Sequence, residues 1–124
     1  MARKLAQSTL MRFQKLLEAE TERLTEVIRE IEVEQEALRL SETSSERSPD
    51  PNTAEGGSLA FEIEKELSLY QNAKNLLDQA EEAMERVHEG VYGICADCGE
   101  NIPVARLEVI PHTKFCVTCS AARY

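Results

Sequence analysis

Leu10, Leu17, Leu24, Ile31 and Leu38 recur every seven residues, and Phe13, Val27 and Ile28 fill intermediate positions on the same side. Glu, Arg, Lys and Gln occupy most of the sequence between them. Such a heptad stripe predicts a helix packed along one seam, from about residue 4 to about residue 42. At ~1.5 Å per residue it would be roughly 55–60 Å long. A second stripe, Ile63, Tyr70, Leu77, Met84 and Val91, has the same spacing, and Leu67, Ala73, Ala80 and Val87 complete its apolar face. It predicts a helix from about residue 58 to about residue 89, with Ser58 placed to cap its start and Gly90 to end it. The small Ala73 and Ala80 would let two helices approach closely.

Residues 41–57, SETSSERSPDPNTAEGG, separate the stripes. Pro49, Pro51, Gly56 and Gly57 break helices there, and the serines favour turns. Two stripes joined in this way predict a mainly α chain built on a long antiparallel coiled-coil hairpin. A parallel dimer would waste the connection, so a monomer is expected. Packing of each stripe on a globular core is disfavoured, because the remaining chain offers little core. From Val91 onward helical periodicity stops, glycines and cysteines appear, and short β-like stretches such as Phe115–Val117 occur. The expected organisation is a hairpin over 1–89, with its tip at about 42–57, and a small module over 90–124.

Composition sharpens this picture. The 124 residues include no tryptophan and 30% charged side chains, which argues against a large core. A small module needs a staple such as a metal ion. The formal net charge of -9 is opposite to the basic footprint of a nucleic-acid binder, so sequence-specific DNA binding is not expected. A basic groove or channel on another protein would suit it better. No run approaches the roughly 18 apolar residues of a membrane span, and the N-terminus lacks the apolar run of a secretory signal. The expected compartment is the cytoplasm, where thiols stay reduced.

The candidate chemistry lies in Cys95, Cys98, Cys116 and Cys119, arranged as C-x2-C, seventeen residues, then C-x2-C. Each C-x2-C turn presents two sulfurs to one metal, and two turns close a tetrahedral zinc site. Two disulfides, a redox C-x2-C pair and an iron–sulfur cluster are the lesser alternatives. A closed shell of four thiolates leaves no position for reactive water, so one structural zinc is expected. His112 is expected at the surface, and His88 to favour a helix end rather than bind metal.

Residues 90–119 resemble the DksA/TraR family of bacterial transcription regulators. The features that carry the resemblance are Gly90, Tyr92-Gly93-Ile94-Cys95, Asp97-Cys98-Gly99, Ile102-Pro103, Ala105-Arg106-Leu107-Glu108, Pro111 and the Cys116/Cys119 pair. Residues 61–87 also resemble the family's second coiled-coil helix, and the first helix matches in architecture alone. The resemblance implies direct binding to RNA polymerase, with the coiled-coil tip in the secondary channel near the catalytic magnesium, and modulation of initiation. The family's tip motif is D-x-x-D-x-A; here the same register gives Asp50, Thr53 and Glu55, so Asp50 matches, and Glu55 is the candidate for the second charge. Family members that bind the alarmone ppGpp use basic residues where this chain has Gln79, Ile110 and Ser120, which implies weak or absent ppGpp dependence. The sequence stops five residues after Cys119, so the family's C-terminal helix is expected to be absent or a stub.

The remaining charges are expected to be solvated. Glu30, Glu32, Glu34 and Glu36 spread around their helix, and Lys4, Arg12 and Lys15 serve solubility or meet acidic surface on a partner. Three function classes follow: a polymerase-binding regulator, a zinc-containing adaptor or chaperone-like hairpin, and an enzyme. The last has least support, because no nucleophile–base pair, phosphate loop or open metal site is visible.

Overall fold

A computed structural model describes residues 3–44 and 54–123, and the side chains of residues 3–41 and 57–123. The chain is mainly α: α1 (Gln7–Ser44) and α2 (Ala54–Glu89) are long, and α3 (Val104–Val109) and α4 (Val117–Ala121) are short. Among the described residues the β pairing is confined to a bridge between Ile94 and Asn101, and residues 115–117 form no strand. The hydroxyl of Thr113 holds that stretch instead, donating to the Phe115 carbonyl while accepting from the Phe115 N–H.

Both long helices differ from expectation at their starts. α1 begins at Gln7 rather than residue 4. α2 begins at Ala54, so Gly56, Gly57 and the expected cap Ser58 lie inside it. Glycine in a helix costs about 1 kcal/mol, which a helix of this length tolerates in its first turns. The far end of α2 follows expectation. Gly90 takes φ +78°, and the N–H groups of Val91 and Tyr92 both return to the Arg86 carbonyl, as a left-handed C-terminal residue allows.

The chain divides into two compact units, Met1–Arg23 with Leu77–Tyr124, and Leu24–Leu76. The first has one core that takes Phe13 and Leu17 from α1, Ala83 and Val87 from α2, and Tyr92, Cys95, Ile102 and Leu107 from the cysteine module. The rings of Phe13 and Tyr92 meet at 5.9 Å, tilted by 48°. Arg12, expected to be solvated, pairs with Glu108 of α3 at 3.1 Å and lies over the Phe13 ring.

The second unit buries Leu24, Ile28, Ile31 and Ala73. Its helices run antiparallel: the Tyr70 hydroxyl donates to Glu32 at 3.0 Å, and the Glu66 carboxyl lies near that of Glu34. Two members of the acidic run therefore reach partners on the other helix while remaining exposed, as expected of solvated charge. Glu36 follows expectation, with Arg39 three residues on as its partner at the surface. The seam is not closed along its whole length, because Leu38 is 43% and Ile63 37% exposed.

The buried face of α2 is also narrower than its heptad row. Ala73, Ala80, Ala83 and Val87 are buried, whereas Tyr70, Leu77 and Met84 are half-buried and Leu67 is exposed. Small residues on one helix accommodate large ones on the other, which is how close-packed layers interdigitate. Leu17 is fully buried. Replacing it with alanine should cost about 2–5 kcal/mol. Leu38→Ala should cost under about 1 kcal/mol, the range of surface changes. Urea denaturation of the two variants measures the difference, and equal losses would refute the open seam.

Candidate metal centre

The first cysteine pair sits on a tight turn. The Cys95 N–H donates to the Glu100 carbonyl at 2.8 Å, and the Gly99 N–H donates back to the Cys95 carbonyl at 3.1 Å. The second pair sits on α4, where Cys116 is the N-cap and Cys119 falls one turn later, so both sulfurs share a face. The Ala96 N–H donates to the Lys114 carbonyl at 2.8 Å and ties the two turns together.

All four sulfurs lie within 4.8 Å of one another. Those of Cys98 and Cys116 are 3.7 Å apart. Tetrahedral Zn–S bonds of about 2.3 Å require sulfurs roughly 3.8 Å apart, so the donor set fits one zinc ion. Burial pushes the Cys95 thiol up, but N–H groups of Cys98, Cys116 and Asp97 outweigh that and bring it down to about 6. The crowding of Cys116 and Cys95 pushes Cys119 up to about 12. Four thiols this close cannot all ionise without a cation between them, and a dication supplies that charge. Zinc in such a closed shell supplies folding energy and leaves no open position.

Several side chains brace the module. The Arg86 guanidinium donates to the carbonyls of Val91 at 3.3 Å and Ile94 at 2.6 Å, joining the end of α2 to the turn before Cys95. The Tyr92 hydroxyl donates to the Pro111 carbonyl at 2.7 Å. Arg123 pairs with both oxygens of Asp97, at 2.8 and 2.7 Å, and its guanidinium lies 3.9 Å from the Phe115 ring centroid. Arg86 carries a sequence signal, since a cation in the last helical turn before a glycine can bond terminal carbonyls. The Arg123–Asp97 pair spans 26 residues and carries none.

Residues before α1 form a strap on the same module. The Arg3 N–H donates to the Asn101 side-chain oxygen at 2.8 Å, and the Asn101 amide donates back to the Arg3 carbonyl at 2.6 Å. Leu5 packs against Gly93, where a Cβ would stand 3.0 Å from a Leu5 methyl carbon. The Lys4 ammonium lies beside Gly90, at the negative end of α2.

His112 is half-buried rather than on the surface, and the metal-ligand cluster among the described residues contains cysteines alone. It lines a cavity of about 410 Å³ together with Gln79, Arg106, Ile110, Lys114 and Ser120. The three positions singled out for ppGpp thus all line this cavity. Two cations border the cavity, but both are engaged: Lys114 binds Glu82 at 2.8 Å, and Arg106 donates to the Phe115 carbonyl at 3.0 Å. Asp50 lies outside the described residues, as does the side chain of Glu55, whose backbone belongs to α2.

Residues 90–124 match the prokaryotic dksA/traR C4-type zinc finger. An uncharacterized protein of Aquifex aeolicus is 37% identical over 112 residues, covering 86% of this chain and 70% of that protein. The RNA polymerase-binding transcription factor DksA of Escherichia coli is 25% identical over 113 residues, covering 91% of this chain and 70% of that one. The structure of transcription factor DksA2 from Pseudomonas aeruginosa superposes with a TM-score of 0.74 at 28% identity, covering 94% of this chain and 84% of that chain. The chain belongs to the DksA/TraR family.

The DksA/TraR family is one of transcription factors rather than an enzyme class. No helix among the described residues is long and apolar enough to cross a membrane. Family membership removes the disulfide and iron–sulfur alternatives for the cysteines in favour of one structural zinc.

Chelation should abolish amide protection at Cys95 and Ala96, whose N–H groups are held by Glu100 and Lys114, while circular dichroism retains most of the helical signal of α1 and α2. Hydrogen exchange with and without chelator measures this, and unchanged protection would refute a zinc-dependent module. Burial holds His112 below its ordinary value, and Glu20 partly opposes the shift. The unfolded chain therefore takes up this proton first, so stability present at neutral pH falls on acidification through about 6.5. Thermal melts of His112→Gln should show a flatter dependence over that interval than the parent chain.

Proposed function

We propose that this chain is a transcription regulator that binds RNA polymerase directly and inserts its coiled-coil tip into the secondary channel to modulate initiation. The observation that carries this reading is the similarity to DksA, which extends over 91% of the chain and so reaches beyond the zinc finger to both long helices. Charge supports it: a chain with a net charge of -9 suits a basic protein groove and not a phosphate backbone.

In this reading zinc has no catalytic part. Four thiolates close its shell, and the module they hold shares a core with the adjoining parts of α1 and α2. The acids that face the polymerase active site are Asp50 and Glu55, where acidic groups can approach a metal ion or a basic catalytic loop. The protein works as a monomer in the cytoplasm. ppGpp dependence through the 410 Å³ cavity is weak or absent, because Gln79, Ile110 and Ser120 are uncharged and the cations beside them are already paired. The adaptor reading predicts no affinity for polymerase.

A binding assay with core RNA polymerase and the zinc-loaded chain at low salt separates these readings. The expected result is a complex whose affinity Asp50→Asn spares while altering the protein's effect on promoters. Added ppGpp should leave the complex unchanged. No complex would sink the regulator reading, and wild-type promoter effects from Asp50→Asn would remove that acid from the mechanism.

A further inference from the structure

The unit Leu24–Leu76 contains a gap in its own seam. Leu24, Ile28, Ile31 and Ala73 close one stretch of it. Beyond them a groove of about 260 Å³ opens, lined by Leu38, Leu59, Ile63 and Leu69. Leu38, Ile63 and Leu69 are 43%, 37% and 53% exposed, although two of them belong to the heptad rows that should be buried. Coiled-coil core positions left this open retain unused apolar area, and contiguous apolar surface of this kind marks interaction sites. The groove is smaller than the roughly 300–1,000 Å³ of small-molecule sites. It suits a protruding aliphatic side chain better than a free ligand.

Its rim is acidic. Among the described residues, Glu34, Glu62 and Glu66 line it, against a single cation, Lys65. Glu34 and Glu66 come from opposite helices, close enough for one carboxyl, when protonated, to donate to the other. That contact, then desolvation and the charges of Glu34 and Glu62, holds the Glu66 carboxyl above its ordinary range. When both are ionised, the two carboxylates repel each other. A cation from outside would relieve that repulsion.

These features together select the occupant. A second copy of this chain would set the same three glutamates against their counterparts, on molecules of net charge -9. Nucleic acid and anionic lipid meet the same repulsion. We propose that this groove is a docking notch for a basic amphipathic helix of the protein partner, whose aliphatic residue enters between Leu38 and Ile63 while an arginine or lysine beside it engages Glu34 and Glu66. Apolar anchors flanked by complementary charge are the general form of helix-in-groove recognition. The proposal rests on the reading that RNA polymerase is that partner, and it places affinity on the tip-proximal part of the coiled coil, at residues other than Asp50 and Glu55.

The test uses the zinc-loaded full chain and core RNA polymerase. Glu34→Gln with Glu66→Gln removes the repulsion, so the free chain should melt at the same or a higher temperature than wild type while affinity for polymerase falls at least about tenfold, since a lost buried charge contact costs more than one factor of ten. A purely structural role for the two acids would move stability and affinity in the same direction. Ile63→Ser changes an already exposed side chain, so it should fold normally and also bind at least about fivefold more weakly. A photocrosslinker at residue 63 should label a basic polymerase segment. If wild type binds and both variants bind equally well, the notch is overturned and the regulator reading stands. If wild type does not bind, both fall. A concentration-dependent dimer of the free chain that Ile63→Ser abolishes would make the groove a self-interface and overturn the proposal.

Discussion

Four cysteine sulfurs within 4.8 Å of one another cannot all ionise unless a cation lies between them. Without it the thiols compete for protons: Cys95 ionises readily while Cys119 resists. With zinc, the turn around Cys95 and the helix begun by Cys116 become one body. Cys95 is both a ligand and a member of the core that contains Phe13, Leu17, Ala83 and Val87. The metal therefore acts on hydrophobic packing as well as on its own loop, and a module of about 30 residues gains a core it could not build alone.

Around that constraint the chain spends its long-range polar contacts. Arg86, Tyr92, Asn101 and Arg123 each reach backbone or side-chain groups in other segments of the same unit. The exposed Arg–Glu pairs three apart on α1 are different in kind. Arginine holds its glutamate partner below the usual carboxylate range in each pair. Solvent screens these pairs, and they add little beyond local helix support. Specificity in the first unit resides in the braces and the metal.

Much of this was legible in the residues. Heptads in α1 located Leu17, Leu24 and Ile31 in the buried seam, and the C-x2-C pairs located the metal cluster. The α2 row was less informative. Ala73, Ala80 and Val87 were legible on its apolar face, but Ala83 was not, and the large Tyr70, Leu77 and Met84 are only half-buried. Gly56 and Gly57 read as breakers, but propensity is a weak prior once a long helix has packing to extend it. The strap at Asn101 had no local signature, because its partner Arg3 lies 98 residues away. His112 looked like a surface residue because its cover comes from segments distant in the sequence.

Gly93 separates handedness from volume. Its φ of +84° belongs to the half of conformational space natural to D-residues. A side chain there also runs into Leu5, 3.0 Å from where its first carbon would stand. L-alanine at this position fails on both counts, whereas D-alanine introduced by chemical synthesis accepts the torsion and carries its methyl group in place of the other α-hydrogen, in a different direction from the Leu5 contact. Trimming Leu5 would relieve the crowding of the natural residue and leave its torsion strained, so the fit of an N-terminal leucine and the handedness of a turn beside the metal could be probed separately.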